Sequence, residues 1–275
     1  MARPKLAILA GGGPLPGEIA AACHDIGREV FMVAHEGITD PDSTAGTDHQ
    51  WVNLGAVQNT LTLLHDAGTR EVVLAGPVRR PSLTSLRLDR RAMKAVAKWG
   101  LKAMGDDKLL SILVNELEQE GFRVVGIDSI LDHMIAPSGL MGAHGPDDVA
   151  LADVAIGCTV ARTVGALDIG QAVVVQQGMV LGVEAIEGTD ALLRRCAELR
   201  REGPGGVLVK LKKPRQEARA DLPTIGPDTV AGAKAAGLRG IAVEAAGALV
   251  VDRDLLVTVA DDAGLFVIGL APGEM

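Results

Sequence analysis

Short apolar runs separated by helix-spaced segments recur from the first residues onward, and that alternation restricts the fold more than any other feature. Residues 5–10 (KLAILA), 29–34 (EVFMVA), 51–54, 71–75 (EVVLA) and 122–127 (FRVVGI) read as strands. Between them, residues 19–26, 57–67, 90–104 and 108–120 read as helices. Strands that alternate with helices imply a parallel sheet with helices on both faces. The first half is therefore expected to be a Rossmann-like α/β domain.

A looser stretch with Pro137, Gly139, Gly142, Gly145 and Pro146 follows. It sets the expected division: an N-terminal domain over 1–132, a linker over 133–146 and a distinct C-terminal α/β domain over 147–275. There, residues 147–167 read as a helix capped by Asp147 or Asp148. Residues 171–176 and 179–184 read as a hairpin turning at Gln177-Gly178, a weaker sign than Asn-Gly or Asp-Gly. A helix from Gly188 or Thr189 to about 201, a strand at 206–211, a helix at 229–236 and a strand at 240–244 follow. Asp252 is placed as the cap of a helical segment over 254–262, and 265–269 is the last strand.

Composition narrows the function classes. The chain has 275 residues, 48% hydrophobic and 23% charged, too apolar for disorder. Its net charge of -8 argues against nucleic acid as a partner and against strong docking to anionic lipid. The N-terminus is no signal peptide, because its apolar run breaks at three glycines. No stretch reads as a membrane span, so a soluble chain is expected. Three cysteines without a CxxC pair suit a reducing compartment and idle, buried thiols. The six histidines show no HxH or HExxH spacing, which disfavours zinc.

Four segments can carry chemistry. Leu9-Ala-Gly-Gly-Gly-Pro-Leu-Pro16 is a glycine-rich turn from strand to helix, where backbone N–H groups can meet a phosphate. Gly11, Gly12, Gly13, Pro14 and Leu15 are its candidate contacts. It is near the G-x-G-x-x-G dinucleotide pattern, but Pro16 stands where the third glycine belongs. Gly76-Pro-Val-Arg-Arg-Pro-Ser82 brings Arg79 and Arg80 to a strand end, with guanidinium forks suited to phosphate oxygens. Gly105-Asp-Asp-Lys-Leu-Leu110 reads as a helix start. The densest region holds Asp168 to Gln171, Glu184 to Asp190, Lys210, Lys212, Lys213 and Arg215, then Arg219 to Gly226 with Asp228 and Thr229 behind. Its acids and cations fall at the ends of expected strands, where side chains converge. Phosphoryl chemistry needs cations there, and Mg²⁺ takes one or two carboxylates with phosphates and water.

These segments resemble the LpxI family. LAGGGPLP at 9–16, GPVRRP at 76–81 and GDDKLL at 105–110 carry the likeness in the first half. DIGQAVVV at 168–175, EAIEGTDALLRR at 184–195 and RADLPTIGPDTV at 219–230 carry it in the second. The resemblance covers essentially the whole chain, in order. It implies a pyrophosphatase that hydrolyses UDP-2,3-diacylglucosamine to UMP and 2,3-diacylglucosamine 1-phosphate (lipid X) in lipid A assembly, with water attacking the β-phosphorus. It also implies a divalent metal, normally Mg²⁺, two domains that enclose the substrate and a homodimer. The expected location is the cytoplasm, with at most peripheral contact at the inner face of the inner membrane. Asp221, Arg219 and Lys212 are the expected catalytic residues. Arg79, Gln171, Thr189, Lys213 and Thr224 join the glycine loop as substrate contacts. Asp221, Glu187, Asp190 and Asp228 are the expected metal ligands. Two rival readings are a nicotinamide-dependent oxidoreductase, with Glu36 on the ribose, and a non-catalytic nucleotide-sugar-binding protein.

Overall fold

The computed structural model describes residues 3–78, 89–99, 106–214, 219, 222–271 and 273, with backbone alone at 95–99 and 106–109. The chain forms two compact units, Met1–Asp132 with Glu217–Asp221, and His133–Gln216 with Leu222–Met275.

In unit 1 the strands β1 (Leu6–Ala10), β2 (Val30–His35), β3 (His49–Val52), β4 (Glu71–Ala75) and β5 (Arg123–Val124) form one sheet, ordered β3-β2-β1-β4-β5. Every neighbouring pair is parallel. The helices are α1 (Leu15–Asp25), α2 (Val57–Asp66), α3 (Arg90–Trp99) and α4 (Asp106–Gln119). Strands β1, β2 and β4 are buried along their whole length, so their sequences are apolar runs rather than alternations. Ala7, Leu9, Phe31, Val33, Val72 and Leu74 share one core with Leu61 and Leu64 of α2 and Leu117 of α4. Glu71 and His35 are the polar exceptions, and the Glu71 carboxylate takes Arg28 and Arg123 together. The strand order reverses between β1 and β4, the switch point where open α/β sheets collect ligands.

Helix α1 begins at Leu15, earlier than the apolar spacing indicated, with Pro16 in its first turn. Proline suits that position because it lacks the N–H that would be unsatisfied there. Strand β3 lies two residues before its expected place and leaves Trp51 38% exposed at the sheet edge.

Unit 2 is mixed. Strands β6 (Gly139–Leu140), β7 (Ala172–Gln176), β8 (Met179–Val183), β9 (Val207–Lys210), β11 (Gly240–Glu244) and β13 (Phe266–Leu270) form a sheet ordered β6-β13-β11-β9-β7-β8. The middle strands β9, β11 and β13 are parallel, and β6, β7 and β8 are antiparallel to their neighbours. Short β10 (Thr224–Ile225) pairs with β12 (Leu249–Val250). Helix α5 (Asp148–Ala166) covers one face, where Ala150, Val154 and Cys158 meet Val173, Val175, Val207 and Val209. Helices α6 (Thr189–Glu198), α7 (Pro227–Ala235) and α8 (Arg253–Ala263) supply Leu192, Val230 and Leu256 to the core with Val174, Leu208 and Ile241 on the other. The two-residue period of the strands divides these side chains between the faces.

Several sequence expectations change here. Residues 133–146, read as a linker, cluster with unit 2 and supply the edge strand β6 and buried Met134, Ala136 and Met141. Asp252 makes no side-chain cap for α8 and sits at φ 46. Asp147 does cap α5, accepting from the Ala150 amide at 2.9 Å, and also pairs with Arg239. Helix α5 is long and apolar enough to cross a membrane, with a mean hydropathy of 1.5 over 18 residues. Here one face of it packs on the sheet, and it is pinned through Asp153, which is 2% exposed. That carboxylate accepts from the amides of Gln177 at 2.9 Å and Gly178 at 2.6 Å. Gln177 and Gly178 lie at φ 51 and 77, as a two-residue turn of right-handed strands requires. The three cysteines are free and buried, and burial pushes each thiol up, away from reactivity.

Candidate active site

In unit 1 the glycine turn leaves β1 beside the end of β4. The Gly11 amide donates to the Ala75 carbonyl at 2.7 Å, and the Gly12 amide donates to the Pro77 carbonyl at 2.9 Å. A Cβ on Gly11 would land on the Gly76 carbonyl, 2.6 Å from its carbon. Glycine is required there because two backbones touch. The Ala10 carbonyl accepts from Thr39 Oγ1 at 2.6 Å and lies 2.9 Å from His35 Nδ1. Ser43 Oγ donates to the Gly13 carbonyl at 2.9 Å. Burial holds His35 below its ordinary 6.5, so it is neutral at physiological pH.

The sequence reading treated the three glycine amides as an open phosphate cradle. The fold engages Gly11 and Gly12 within the protein, while Pro14 and Pro16 have no N–H to offer. Anion contact at this turn is left to Gly13, Leu15 and the start of α1. The nicotinamide alternative loses the same two amides. Arg79 and Arg80 lie outside the described residues. A shallow depression lined by Lys5, His24, Arg28, Glu29 and Asp48 sits at the amino ends of β1 and β2, the end opposite this turn.

In unit 2 the topology gathers polar side chains at one sheet edge. Lys210 ends β9 and pairs in register with Ala172, the first residue of β7. Glu184 follows β8, and Glu244 ends β11. The residues before β7, after β8, after β9 and at the end of β11 therefore meet. Glu184, 6% exposed, accepts from the Gln171 amide at 3.0 Å through Oε2 and from Thr189 Oγ1 at 2.6 Å through Oε1. Glu244 accepts from the Lys212 amide at 3.2 Å. Lys213 Nζ meets Asp168 Oδ1 at 2.7 Å, with side chains 10% and 22% exposed. Lys210, 8% exposed, donates to the Thr224 carbonyl at 2.9 Å and ties β10 to the end of β9. Lysines beside carboxylates at a carboxyl-end crevice can hold phosphate oxygens and offset charge that builds in a phosphoryl transition state.

Lys212, Lys213, Gln171, Thr189 and Thr224 thus share this edge. The sequence quoted Glu184 and Lys210 only within motifs, and it did not single out Glu244. Their signal was burial of charge, which only the strand register reveals. The expected metal ligands are arranged differently. Glu187 turns to Arg195 at 2.8 Å, and its own backbone amide, then that guanidinium, hold its carboxyl below the ordinary range. Asp190 and Asp228 are exposed in the first turns of α6 and α7. Among the described residues no three His, Cys, Asp or Glu side chains form a metal-holding group. Asp221 lies outside the described residues. Arg219 clusters with unit 1 and pairs with Glu118 of α4 at 2.6 Å.

Comparison with known proteins adds to this geometry. Solved structures give only distant likeness. A CobK precorrin-6A reductase is 13% identical over 98% of this chain and 88% of its own, at a TM-score of 0.36. An N5-carboxyaminoimidazole ribonucleotide synthetase is 14% identical over 54% and 40%, at 0.24. Neither score supports an argument. By sequence, the UDP-2,3-diacylglucosamine pyrophosphatase LpxI of Caulobacter vibrioides is 43% identical over 98% of this chain and 99% of its own. The model of the LpxI N-terminal domain matches residues 5–134, and that of the LpxI C-terminal domain matches residues 137–268. With both domain models matched in order and a relative alike from end to end, this chain belongs to the LpxI family.

Proposed function

We propose that this chain hydrolyses the diphosphate of UDP-2,3-diacylglucosamine to UMP and 2,3-diacylglucosamine 1-phosphate, a step of lipid A biosynthesis. One observation carries the reading: 43% identity across 98% of the chain to a pyrophosphatase of that name. The unit 2 edge supports it with one buried and two half-buried lysines and polar groups at strand ends. Water adds its oxygen to the β-phosphorus, the bridging P–O bond breaks, and UMP leaves with the bridging oxygen. Lys212 and Lys213 offset charge on the phosphoryl oxygens, and Thr224 and Thr189 orient the substrate. Asp221 is assigned to the reacting centre on its place in RADLPTIG.

A divalent cation belongs to the same proposal, but Glu187, Asp190 and Asp228 as placed do not fit one. A cation would rest on Asp221 with phosphate oxygens and water. Chelation followed by readdition of Mg²⁺ measures the requirement, and full turnover in chelator removes the cation from the proposal. Homodimer assembly, a cytoplasmic site and peripheral membrane contact complete the reading. Light scattering and vesicle co-sedimentation check the first and last. The decisive experiment incubates the protein with UDP-2,3-diacylglucosamine and detects UMP and lipid X. A folded protein that binds the substrate and releases neither product is a nucleotide-sugar-binding protein instead.

A further inference from the structure

We propose that Glu244 is a positioning residue for the phosphoryl chemistry, acting through the backbone of Lys212. The inference rests on the function proposed above and adds a residue to its machinery. Strands β9 and β11 run parallel, and their ladder ends with Lys210 opposite Val243. Beyond that rung the two chains part. The Ala245 amide donates to the Leu270 carbonyl of β13 and the Ala246 amide to the Ala136 carbonyl, both at 2.9 Å. The Lys212 amide, just past the end of β9, takes a side chain as its acceptor: Glu244 Oε2 at 3.2 Å. A carboxylate thus extends the hold of β11 on its neighbour after the backbone ladder has stopped, and an ionised acceptor makes the stronger kind of hydrogen bond.

Three successive residues are fastened here by three different elements. The Leu211 amide donates to the Gln171 carbonyl before β7 at 3.0 Å. The Lys212 amide donates to Glu244 at the end of β11. Lys213 lies against α5, where a Cβ on Gly165 would stand 3.4 Å from its Cα, and its Nζ meets Asp168 Oδ1 at 2.7 Å. Glu244 is therefore the anchor that belongs to Lys212. The turn after β11 leaves space for it. A Cβ on Gly247 would fall 2.7 Å from Glu244 Cδ and 2.9 Å from its Oε1, so only a residue without a side chain lets the carboxylate lie where it does.

A lysine ammonium sits on a flexible four-carbon stem, so its reach depends on where its backbone is fixed. Charge offset in a transition state works best from groups already in place. Glu244 supplies that placement through an acceptor oxygen aimed at an amide. What it contributes is the acceptor and not the charge, and a glutamine offers the same oxygen.

The experiment measures UMP release from UDP-2,3-diacylglucosamine by the full-length protein and its Glu244→Ala, Glu244→Gln and Gly247→Ala variants. Glu244→Ala should lower kcat about ten- to a hundredfold and change KM far less. Glu244→Gln should recover to within about threefold of the wild type. Gly247→Ala keeps the carboxylate but pushes it aside, so it should lose kcat as Glu244→Ala does. In a Lys212→Met background, Glu244→Ala should cost less than about twofold more, because both changes remove one effect. A Glu244→Gln variant as slow as Glu244→Ala would give the charge itself a role and overturn the proposal. So would an undiminished loss in the Lys212→Met background, or an Ala variant whose turnover per folded molecule is unchanged. Hydrogen exchange at the Lys212 amide is read in parallel and needs no turnover. It should be slow in the wild type and Glu244→Gln and faster in Glu244→Ala and Gly247→Ala. Fast exchange in the wild type overturns the proposal whatever the turnover. If the wild type releases no UMP, the reaction is overturned, and binding of inorganic pyrophosphate then decides the positioning. Weaker binding by Glu244→Ala than by Glu244→Gln sustains it, and equal binding overturns it.

Discussion

The turn after β1 and the turn before β7 both lie at strand ends, yet they dispose of their polar atoms in opposite ways. The glycine turn uses its amides on its own neighbours: Gly11 on Ala75 and Gly12 on Pro77, with Ala10 and Gly13 carbonyls bonded to Thr39 and Ser43. The Asp168–Gln171 turn keeps two buried oxygens unmatched and clamps everything around them. A glycine-rich pattern therefore marks close packing as readily as it marks a phosphate cradle.

The largest expected effect belongs to Asp221, assigned to the reacting centre on its place in the sequence motif. Asp221→Ala is expected to lower turnover by ~10²–10³ or more, read as UMP release from protein with unchanged circular dichroism. Near-normal turnover would remove Asp221 from the chemistry. Next is Glu184→Ala, which strands the Gln171 amide and the Thr189 hydroxyl together. Each lost partner costs about 1–3 kcal/mol, so denaturant titration should show the larger stability loss of the set and KM should rise with it. Glu184→Gln, which keeps one acceptor, should recover about half.

Gly11→Ala sharpens the other side of the comparison. Its methyl would overlap the Gly76 backbone, and overpacking of this kind costs about 1–3 kcal/mol. Gly12 has more room, with the Ile38 and Pro77 carbonyl oxygens 3.3 and 3.5 Å from a Cβ. Gly12→Ala should therefore be milder, and Gly12→Val separates a structural turn from a binding one. Stability loss with an unchanged KM makes the loop structural, whereas a raised KM in a folded variant gives it a ligand.

The smallest effect is a pH dependence. His35 is depressed by burial, so its folded form resists the proton that its unfolded form takes. Stability is then fully present above the ordinary 6.5 and declines as pH falls through it. Melting temperatures at pH 8 and pH 5.5 should diverge, and His35→Gln should reduce the divergence. An identical slope in that variant would assign the effect to another group.

Much of the fold was legible because parallel strands buried on both sides must be apolar runs, as LAILA and EVVLA are. Motif chemistry was less legible, for a physical reason. Asp153 reads as one of three charges on a largely apolar helix until the fold brings the turn of the following hairpin to it. Glu184 reads as one acid among several until β8 ends beside the start of β7. Lys210 reads as part of a basic cluster until Thr224, fourteen residues on, supplies its acceptor. Such pairings depend on register between distant segments, which local spacing does not encode. Glu187, Asp190 and Asp228 show the converse: neighbours in sequence motifs that the fold does not assemble into one metal group.

Helix α5 has a consequence for how the chain is made. It is complete at Ala166, but strand β9, which helps cover its apolar face, ends only at Lys210. At about 5–20 residues per second, roughly 2–9 s of synthesis separate the two. Through that interval only the β7–β8 hairpin is available to cover a span-length apolar helix, and β9 is still to come. Asp153 is the residue that fastens it to the hairpin, and its charge raises the cost of placing this helix in a bilayer.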